Sequence, residues 1–430
     1  MLDRKYLLEN LDAVKTNCRN RGLSPTLLAE LDDLVRIESE RRAKLQLVEQ
    51  LNRAANEISP KIGKAKDNAE REALKEEGRR LRDEKQAAQQ AHDELEQQAV
   101  TIQLKLPNMA HPSAPIGNDD HANLEVARGK HPARKFDFQP LDHLQLGEKW
   151  GWIDFEGGAR TTGAGFYFLK GELVLLDLAL QQFAVNELVK RGYLPTITPD
   201  LAQDSILLGI GFMPRGPETQ VYSIDGTSLS LIGTAEITLG GLYSGQILDE
   251  SQLPLRLCGI SHCYRTEAGA AGRASRGLYR VHQFTKVEMF AFTTPEQSDQ
   301  LHDELRQIEC DLFDSLEIPY RVVDTATGDL GGPAYRKWDL EAWMPGRGES
   351  GEWGEVTSTS NCTDYQSRRL NIRYKKAGEK GTHFVHTLNG TAVALSRGLI
   401  AVLENHQNAD GSVTIPAALR PYIGRDRIGG

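Results

Sequence analysis

From residue 26 to residue 106 apolar side chains recur at helical spacing among charged residues, Gln and Ala, and only Pro60, Gly63 and Gly78 interrupt the pattern. In the second half Leu74, Leu81, Ala88, Leu95 and Ile102 return every seven residues, with Ala99 and Leu106 filling the adjacent position, which is the spacing of a coiled-coil seam. In the first half Leu27, Leu31, Leu34, Leu45, Val48 and Ala55 keep a three-four spacing, but Glu38, Arg41 and Asn52 stand at seam positions between them. Lys66-Asp67-Asn68 predicts the turn, because Asp or Asn caps a returning helix while Glu70 and Glu72 suit its positive end. Two antiparallel helices of roughly 35 residues would each span about 50 Å, too far to be buried against one domain, so the hairpin is expected to project into solvent.

The helical pattern stops at LPNMAHPSAPIGNDD, where three prolines and a glycine mark a boundary near residues 105–115. The expected division is an N-terminal domain over 1–110, its hairpin arm over about 27–105, and a second domain over 111–430. In the second domain a helix at 171–191 mixes with strands at 194–198, 229–232, 255–264, 281–292, 320–323, 338–343 and 383–386, an α+β pattern. The strands at 255–264 and 281–292 read as an antiparallel pair joined by a long Gly- and Ala-rich loop.

A chain of 430 residues with 39% apolar content can hold two domains, one with a sizeable core. MLDRKYLLENLDAVKTNCRNRG has acidic residues and no continuous apolar run, so it resembles neither a signal peptide nor a membrane span, and a cytoplasmic protein without a membrane partner is expected. Cys18, Cys258, Cys263, Cys310 and Cys362 form no C-x-x-C pair and no zinc-like spacing, so neither disulfides nor zinc are expected. A net charge of -9 argues against general nucleic-acid affinity, and any RNA site must be a local basic patch. Lys61, Lys64, Arg71, Arg79, Arg80 and Arg82, around the hairpin turn, supply one. No G-x-x-x-x-G-K-[ST] loop occurs and no G-x-G-x-x-G follows a strand.

The densest chemistry lies in SHCYRTEAGAAGRASRGLYRVHQFTKVE, residues 261–288. Arg265, Glu267, Arg273, Arg276 and Arg280 share this window with Phe284 and Glu288. Guanidinium forks suit a polyphosphate, an aromatic face suits a purine, and a carboxylate accepts from an amine or an ammonium group. A solvated hairpin with solubilising arginines is the plain alternative.

The window resembles motif 2 of class II aminoacyl-tRNA synthetases, and in particular the R-x-E-A-G-x-A-G-R-x-x-R-G pattern of seryl-tRNA synthetases. The resemblance spans nearly the whole chain. Thr234-Ala235-Glu236 is similar to that family's T-A-E segment, Glu355-Val356-Thr357-Ser358 to its E-[IV]-x-S segment, and His386–Thr391 through Arg397 to motif 3 (386–404), while residues 165–199, ending in Thr198-Pro199, look like motif 1. It implies an antiparallel-sheet catalytic domain, a homodimer formed through motif 1, and a coiled-coil arm that binds tRNA. The implied activity is a serine:tRNA ligase that uses ATP and Mg²⁺ to make seryl-adenylate and then charges serine tRNA, with selenocysteine tRNA as an open further acceptor.

Carried over residue by residue, the resemblance makes Arg265 the clamp between the serine carboxylate and the α-phosphate, and Arg397 the γ-phosphate ligand. Thr266, Glu267, Phe284, Glu355, Val356, Thr357 and Ser358 join them at ATP. Phe284 is the expected adenine face, with Arg397 on the other side, and Glu355 with Ser358 would hold Mg²⁺ through oxygen ligands. Thr234, Ala235 and Glu236 are assigned to the serine ammonium end, Glu288 and Thr391 to its hydroxyl, and Asn389 supports them.

Each match has a bland reading alone: Glu267 as an ion-pair partner for an arginine, Glu355 and the Ser/Thr run as an ordinary edge strand, Thr391 as a helix cap. The sequence departs from the family pattern in two places. Residues 345–354, PGRGESGEWG, look longer than P-G-x-G and read as a surface loop, and Thr359 stands where Cys is common. Three alternatives stay open. The arm could be a dimerisation or scaffold coiled coil, the chain could be a seryl-adenylate-forming paralogue for carrier loading or inhibitor resistance, or it could be a decayed synthetase kept as an RNA-binding module.

Overall fold

The structure, a computed structural model, describes residues 1–212, 220–267 and 277–430. They form two compact units, Met1–Pro107 and Asn108–Gly430.

In the first unit α1 (Arg4–Glu9) and α2 (Leu11–Asn20) precede two long helices, α3 (Pro25–Lys64) and α4 (Asn68–Lys105). Ser24 caps α3 by accepting from the Leu27 N–H at 3.4 Å, and Pro25 sits in the first turn, where a missing N–H costs nothing. The turn falls where the sequence predicts it. Asp67 accepts from the Glu70 N–H at 2.8 Å, and the Glu70 carboxylate reaches back to the Lys66 N–H at 2.8 Å. Lys105 meets Glu30 at 2.7 Å and Lys85 meets Asn52 at 2.8 Å, so the end of α4 lies beside the start of α3 and the helices are antiparallel.

Leu31, Leu34, Val48 and Ile58 of α3 and Leu81, Ala88, Ala99 and Ile102 of α4 are buried along the seam. Leu45 is not: it is exposed, whereas Arg41, four residues earlier, is largely enclosed. Its guanidinium bonds both oxygens of the buried Glu38 at 2.9 Å and reaches His92 Nε2 across the hairpin at 3.1 Å. Arg4 adds a bond to Glu96 at 2.7 Å, which ties α1 to the same cluster. Pairing is what makes such charges tolerable at a seam.

The second unit is built on an eight-stranded sheet. Its strands are β1 (Leu124–Arg128), β2 (Leu194–Ile197), β3 (Leu255–Tyr264), β4 (Gln283–Thr293), β5 (Tyr320–Asp324), β6 (Arg336–Met344), β7 (Glu352–Thr363) and β8 (His386–Ala394). Their order is β1-β5-β6-β7-β8-β4-β3-β2, antiparallel throughout except for the parallel pair β2–β3. The principal helices are α5 (His143–Trp150), α6 (Glu172–Lys190), α7 (Ala235–Gly241), α8 (Ser298–Ser315) and α9 (Leu395–Asn405).

Alternation along β4 decides what each face does. Val287, Met289 and Ala291 enter the main core with α6, α8 and α9. Phe290 and Phe292 face the other way and pack with Ala235, Ile237 and Leu239 of α7 in a second, smaller core. Phe284, Lys286 and Glu288 share that second side, where the apolar packing gives way to a crevice.

Two expectations need correction, and one gains its place in the fold. The strand expected at 383–386 is only the two-residue His383–Phe384, and β8 begins at His386. The strand expected at 229–232 is present as Leu229–Leu231, and it pairs with Leu201–Gln203 outside the main sheet. Residues 345–354 are not all surface loop, since Glu352, Trp353 and Gly354 pair with Met344, Trp343 and Ala342 and extend β7. Trp343 and Trp353 form a cross-strand edge-on pair, 5.2 Å between centroids, that holds this extension.

Candidate active site

Two connected crevices open on the α7 side of the sheet, one of them about 460 Å³, and Arg265, Lys286, Glu355 and Thr391 line both. Local irregularities in two strands put these residues there. In a regular strand Glu355 and Ser358 would face opposite sides, being three residues apart. However, β7 carries an extra residue, Val356, against β6: Leu340 pairs with Thr357 while Glu341 pairs with Glu355. This bulge turns Glu355 to the same side as Ser358, Ser360 and Cys362, while the Thr357 hydroxyl donates backward to Glu309 at 3.0 Å. β8 has a similar irregularity at Ala392, because Thr391 pairs with Glu288 and Val393 with Val287. Thr391 is therefore a strand residue and not a helix cap; α9 starts four residues later.

At one end lies a buried polar cluster. The Lys286 ammonium sits 2.6 Å from Glu288 Oε2 and 3.5 Å from Thr391 Oγ1, and the Thr391 hydroxyl donates to Glu288 at 3.3 Å. Burial pushes the Glu288 carboxyl above the ordinary carboxylate range, and the Lys286 charge opposes that push. Glu236 Oε1 accepts from Gln366 at 2.7 Å and from Asn389 at 2.9 Å. Burial, helped by the nearby Glu288 charge, raises Glu236 to about 7. Thr234 caps α7, its hydroxyl accepting from the Glu236 N–H at 3.2 Å.

At the other end cations dominate. The Arg265 guanidinium lies 5.5 Å from the centre of the Phe284 ring and donates to the Gly233 carbonyl at 3.4 Å. Arg397 donates to the carbonyls of Tyr279 at 3.2 Å and Glu355 at 3.0 Å, pairs with the Glu355 carboxylate at 3.1 Å, and lies 4.6 Å over the Tyr279 ring. Burial would raise the Glu355 carboxyl, but Arg397, Lys337 and Arg265 outweigh it and hold the group ionised below the usual carboxylate range. Glu267 pairs with Arg280 at 2.9 Å.

The site therefore sets an ionised, arginine-rich end beside a small buried polar cluster of Lys286, Glu288 and Thr391. Residues 221–406 match the model of the tRNA synthetase class II core domain for glycine, histidine, proline, serine and threonine, and residues 1–110 match that of the seryl-tRNA synthetase N-terminal domain. The serine–tRNA ligase of Rhodopirellula baltica is 62% identical over 99% of both chains. This chain belongs to the seryl-tRNA synthetase family.

Other members are similarly close. The serine–tRNA ligase of Rubrobacter xylanophilus is 55% identical over all of this chain and 99% of its own. The crystal structure of the Pyrococcus horikoshii seryl-tRNA synthetase complexed with ATP superposes with a TM-score of 0.93 at 38% identity, covering all of this chain and 99% of that one. The fold is accordingly the class II synthetase core with a two-helix N-terminal arm.

Most residues named from the seryl-tRNA synthetase resemblance converge on the two crevices, and some do not. Ala235 packs its methyl group into the smaller core, and Thr266 lines neither crevice. Phe284 and Arg397 both line the first crevice, where Arg265 lies over Phe284 and Arg397 stacks on Tyr279. Arg273 and Arg276 lie outside the described residues. Lys61, Lys64, Arg71, Arg79, Arg80 and Arg82 are all exposed on the first unit. Sequence reasoning missed Lys286, Tyr279 and Gln366. Lys286 had a signal, because it stands midway between Phe284 and Glu288 on one face of an alternating strand; Gln366, remote in sequence, had none.

Proposed function

We propose that this chain activates L-serine with ATP to seryl-adenylate and pyrophosphate and then transfers the seryl group to the 3′-terminal adenosine of serine tRNA in the cytoplasm. The observation that carries this reading is the pairing of Arg265 and Arg397 with the Lys286–Glu288–Thr391 cluster in crevices that share walls. In the first step a serine carboxylate oxygen attacks the α-phosphorus and pyrophosphate leaves, so negative charge moves onto the phosphoryl oxygens. Arg265, shared by both crevices, can meet the serine carboxylate and the α-phosphate together, and Arg397 can take the γ-phosphate, so that positioning and electrostatics supply the rate. In the second step a ribose hydroxyl of the tRNA terminus attacks the seryl carbonyl and AMP leaves.

The serine hydroxyl fits the Glu288–Thr391 pair, and its ammonium group fits Glu236, which Gln366 and Asn389 hold in place. For Mg²⁺, Glu355 and Ser358 fit as hard oxygen ligands, since the bulge puts them on one side and the carboxylate is ionised. Among the described residues no cluster of three or more His, Cys, Asp or Glu could hold a metal, so the ion would take its remaining ligands from phosphates and water, as Mg²⁺ commonly does. When bound it would neutralise phosphate charge.

A homodimer through residues 165–199 is supported by exposed apolar residues there: Ile197 is 84% exposed and Leu194 62%, with Leu175, Leu178 and Val189 also exposed on α6. In the proposed division of labour, residues 1–110 bind tRNA and 111–430 carry the chemistry. Replacing Lys61, Lys64, Arg79 and Arg80 together with Gln tests it. tRNA binding should weaken and lose salt dependence while serine-dependent pyrophosphate exchange stays at the parent level. Unchanged tRNA binding would favour a scaffold role for the arm.

A further inference from the structure

Residues 345–351, the loop within the segment 345–354, lie beside the nucleotide end of the proposed site: Gly346, Arg347, Gly348 and Glu349 line a neighbouring crevice that shares Tyr279 with it. The Arg347 guanidinium lies 4.4 Å from the centre of the Tyr279 ring, and Arg397 lies 4.6 Å from the same centre. One aromatic ring is thus shared by two cations, one from the loop between β6 and β7 and one from α9. Glu352 pairs with Arg347 Nε at 3.2 Å and aims the side chain. Gly354 leaves room for it: a Cβ there would come within 2.4 Å of Arg347 Nη1 and 3.2 Å of the Tyr279 ring.

A second set of bonds locks both partners to a common anchor. The buried Glu404 of α9 accepts from the Gly346 N–H at 2.9 Å, next to Arg347, and faces His143 Nδ1 at 2.9 Å. His143 Nε2 accepts from the Leu278 N–H at 3.2 Å, next to Tyr279, which leaves the imidazole proton on Nδ1 to be donated to Glu404. The backbone before Arg347 and the backbone before Tyr279 are therefore fixed through one carboxylate–imidazole pair.

We infer that Arg347 is a positioning residue for ATP: it holds the Tyr279 ring, and through that ring and the Tyr279 carbonyl it fixes Arg397, without touching the nucleotide itself. The contact is a cation–π interaction whose strength depends on the ring staying in place. The inference rests on the reading of Arg397 as a phosphate ligand.

Steady-state ATP–pyrophosphate exchange on the full-length protein tests it, with ATP and serine varied separately. Arg347→Ala should raise KM for ATP by about tenfold, the effect of losing one desolvated cation–π contact, while KM for serine stays put. Arg347→Lys, which keeps a cation over the ring, should recover part of the loss. Arg347→Gln carries the same test should the alanine variant not fold. Tyr279→Leu should reproduce the ATP defect, and adding Arg347→Ala to it should change KM for ATP less than twofold, because both act through one ring. An unchanged KM for ATP in Arg347→Ala, equal rises for ATP and serine, or full multiplication of the two single effects would each overturn the inference. Arg397→Ala separates the premises: if it abolishes exchange while Arg347→Ala is silent, only the role of Arg347 falls, and if it retains exchange, the phosphate assignment falls first.

Discussion

Replacing Lys286 with Met leaves Glu288 buried without its cation. The ion pair is 2.6 Å long and the side chains are 7% and 2% exposed, so water can do little to replace the lysine. Breaking such a pair from one side costs about 3–5 kcal/mol when the remaining charge stays ionised. Glu288 can escape part of that cost by taking up a proton, and burial already pushes its carboxyl upward. The sign follows from linkage. A carboxyl whose folded pKa lies above its unfolded value of about 4.3 stabilises at low pH and loses that contribution as pH rises, by about 1.4 kcal/mol per unit until the folded pKa is passed. Removing Lys286 extends that window upward. The variant's deficit should therefore be small, about 1 kcal/mol, near pH 5 and approach the full ionic cost near pH 8. Calorimetric unfolding of parent and Lys286→Met across this range measures the gap, and adding Glu288→Gln should remove its pH dependence. A deficit equal at both ends of the range would refute the buried-pair account and point to a packing defect.

The hydroxyl pair Glu288–Thr391 should reject alanine, which leaves both groups unpaired, by roughly 10⁴-fold in exchange kcat/KM; comparable rates with alanine and serine would show the cluster misassigned. Because Glu236 sits near 7 and must be ionised to bind an ammonium group, kcat/KM for serine should climb between about pH 6 and 8. Glu236→Gln should flatten that rise at a much lower level. Ile197→Asp combined with Leu178→Asp should convert the proposed dimer to monomer in sedimentation velocity, whereas a parent chain that sediments as a monomer, or a coefficient unchanged by the substitutions, would overturn the proposed interface.

Sequence legibility varied with the physical signal each element carries. The hairpin turn at Lys66-Asp67-Asn68 and helix α6 could be read because caps and periodicity are local. β7 was legible only as an edge strand, because its Thr/Ser-rich run lacks the apolar alternation of an interior one: Thr357, Thr359 and Asn361 are buried, and their side chains are satisfied by Glu309 of α8, the Asn389 carbonyl of β8 and Ser298 of α8. Leu45 was placed at the seam on its three-four spacing but is exposed, since spacing alone does not say which seam positions the partner helix covers. At the site, the resemblance to the seryl-tRNA synthetase motifs named Arg265, Glu288, Glu355 and Arg397 as candidates, but it could not reveal that a bulge at Val356 is needed before Glu355 and Ser358 share a side. Gln366 and Tyr279 join the site only through tertiary packing, which no local pattern encodes.

ATP–pyrophosphate exchange measured with each amino acid in turn, on the parent chain and on Arg265→Ala and Arg397→Ala, tests the central claim most directly. Exchange should depend on serine alone, and each arginine variant should remain folded yet lose about two orders of magnitude or more, because each removes charge stabilisation from the phosphoryl transition state. Exchange driven equally by another amino acid, or near-parent activity in either variant, would contradict the account.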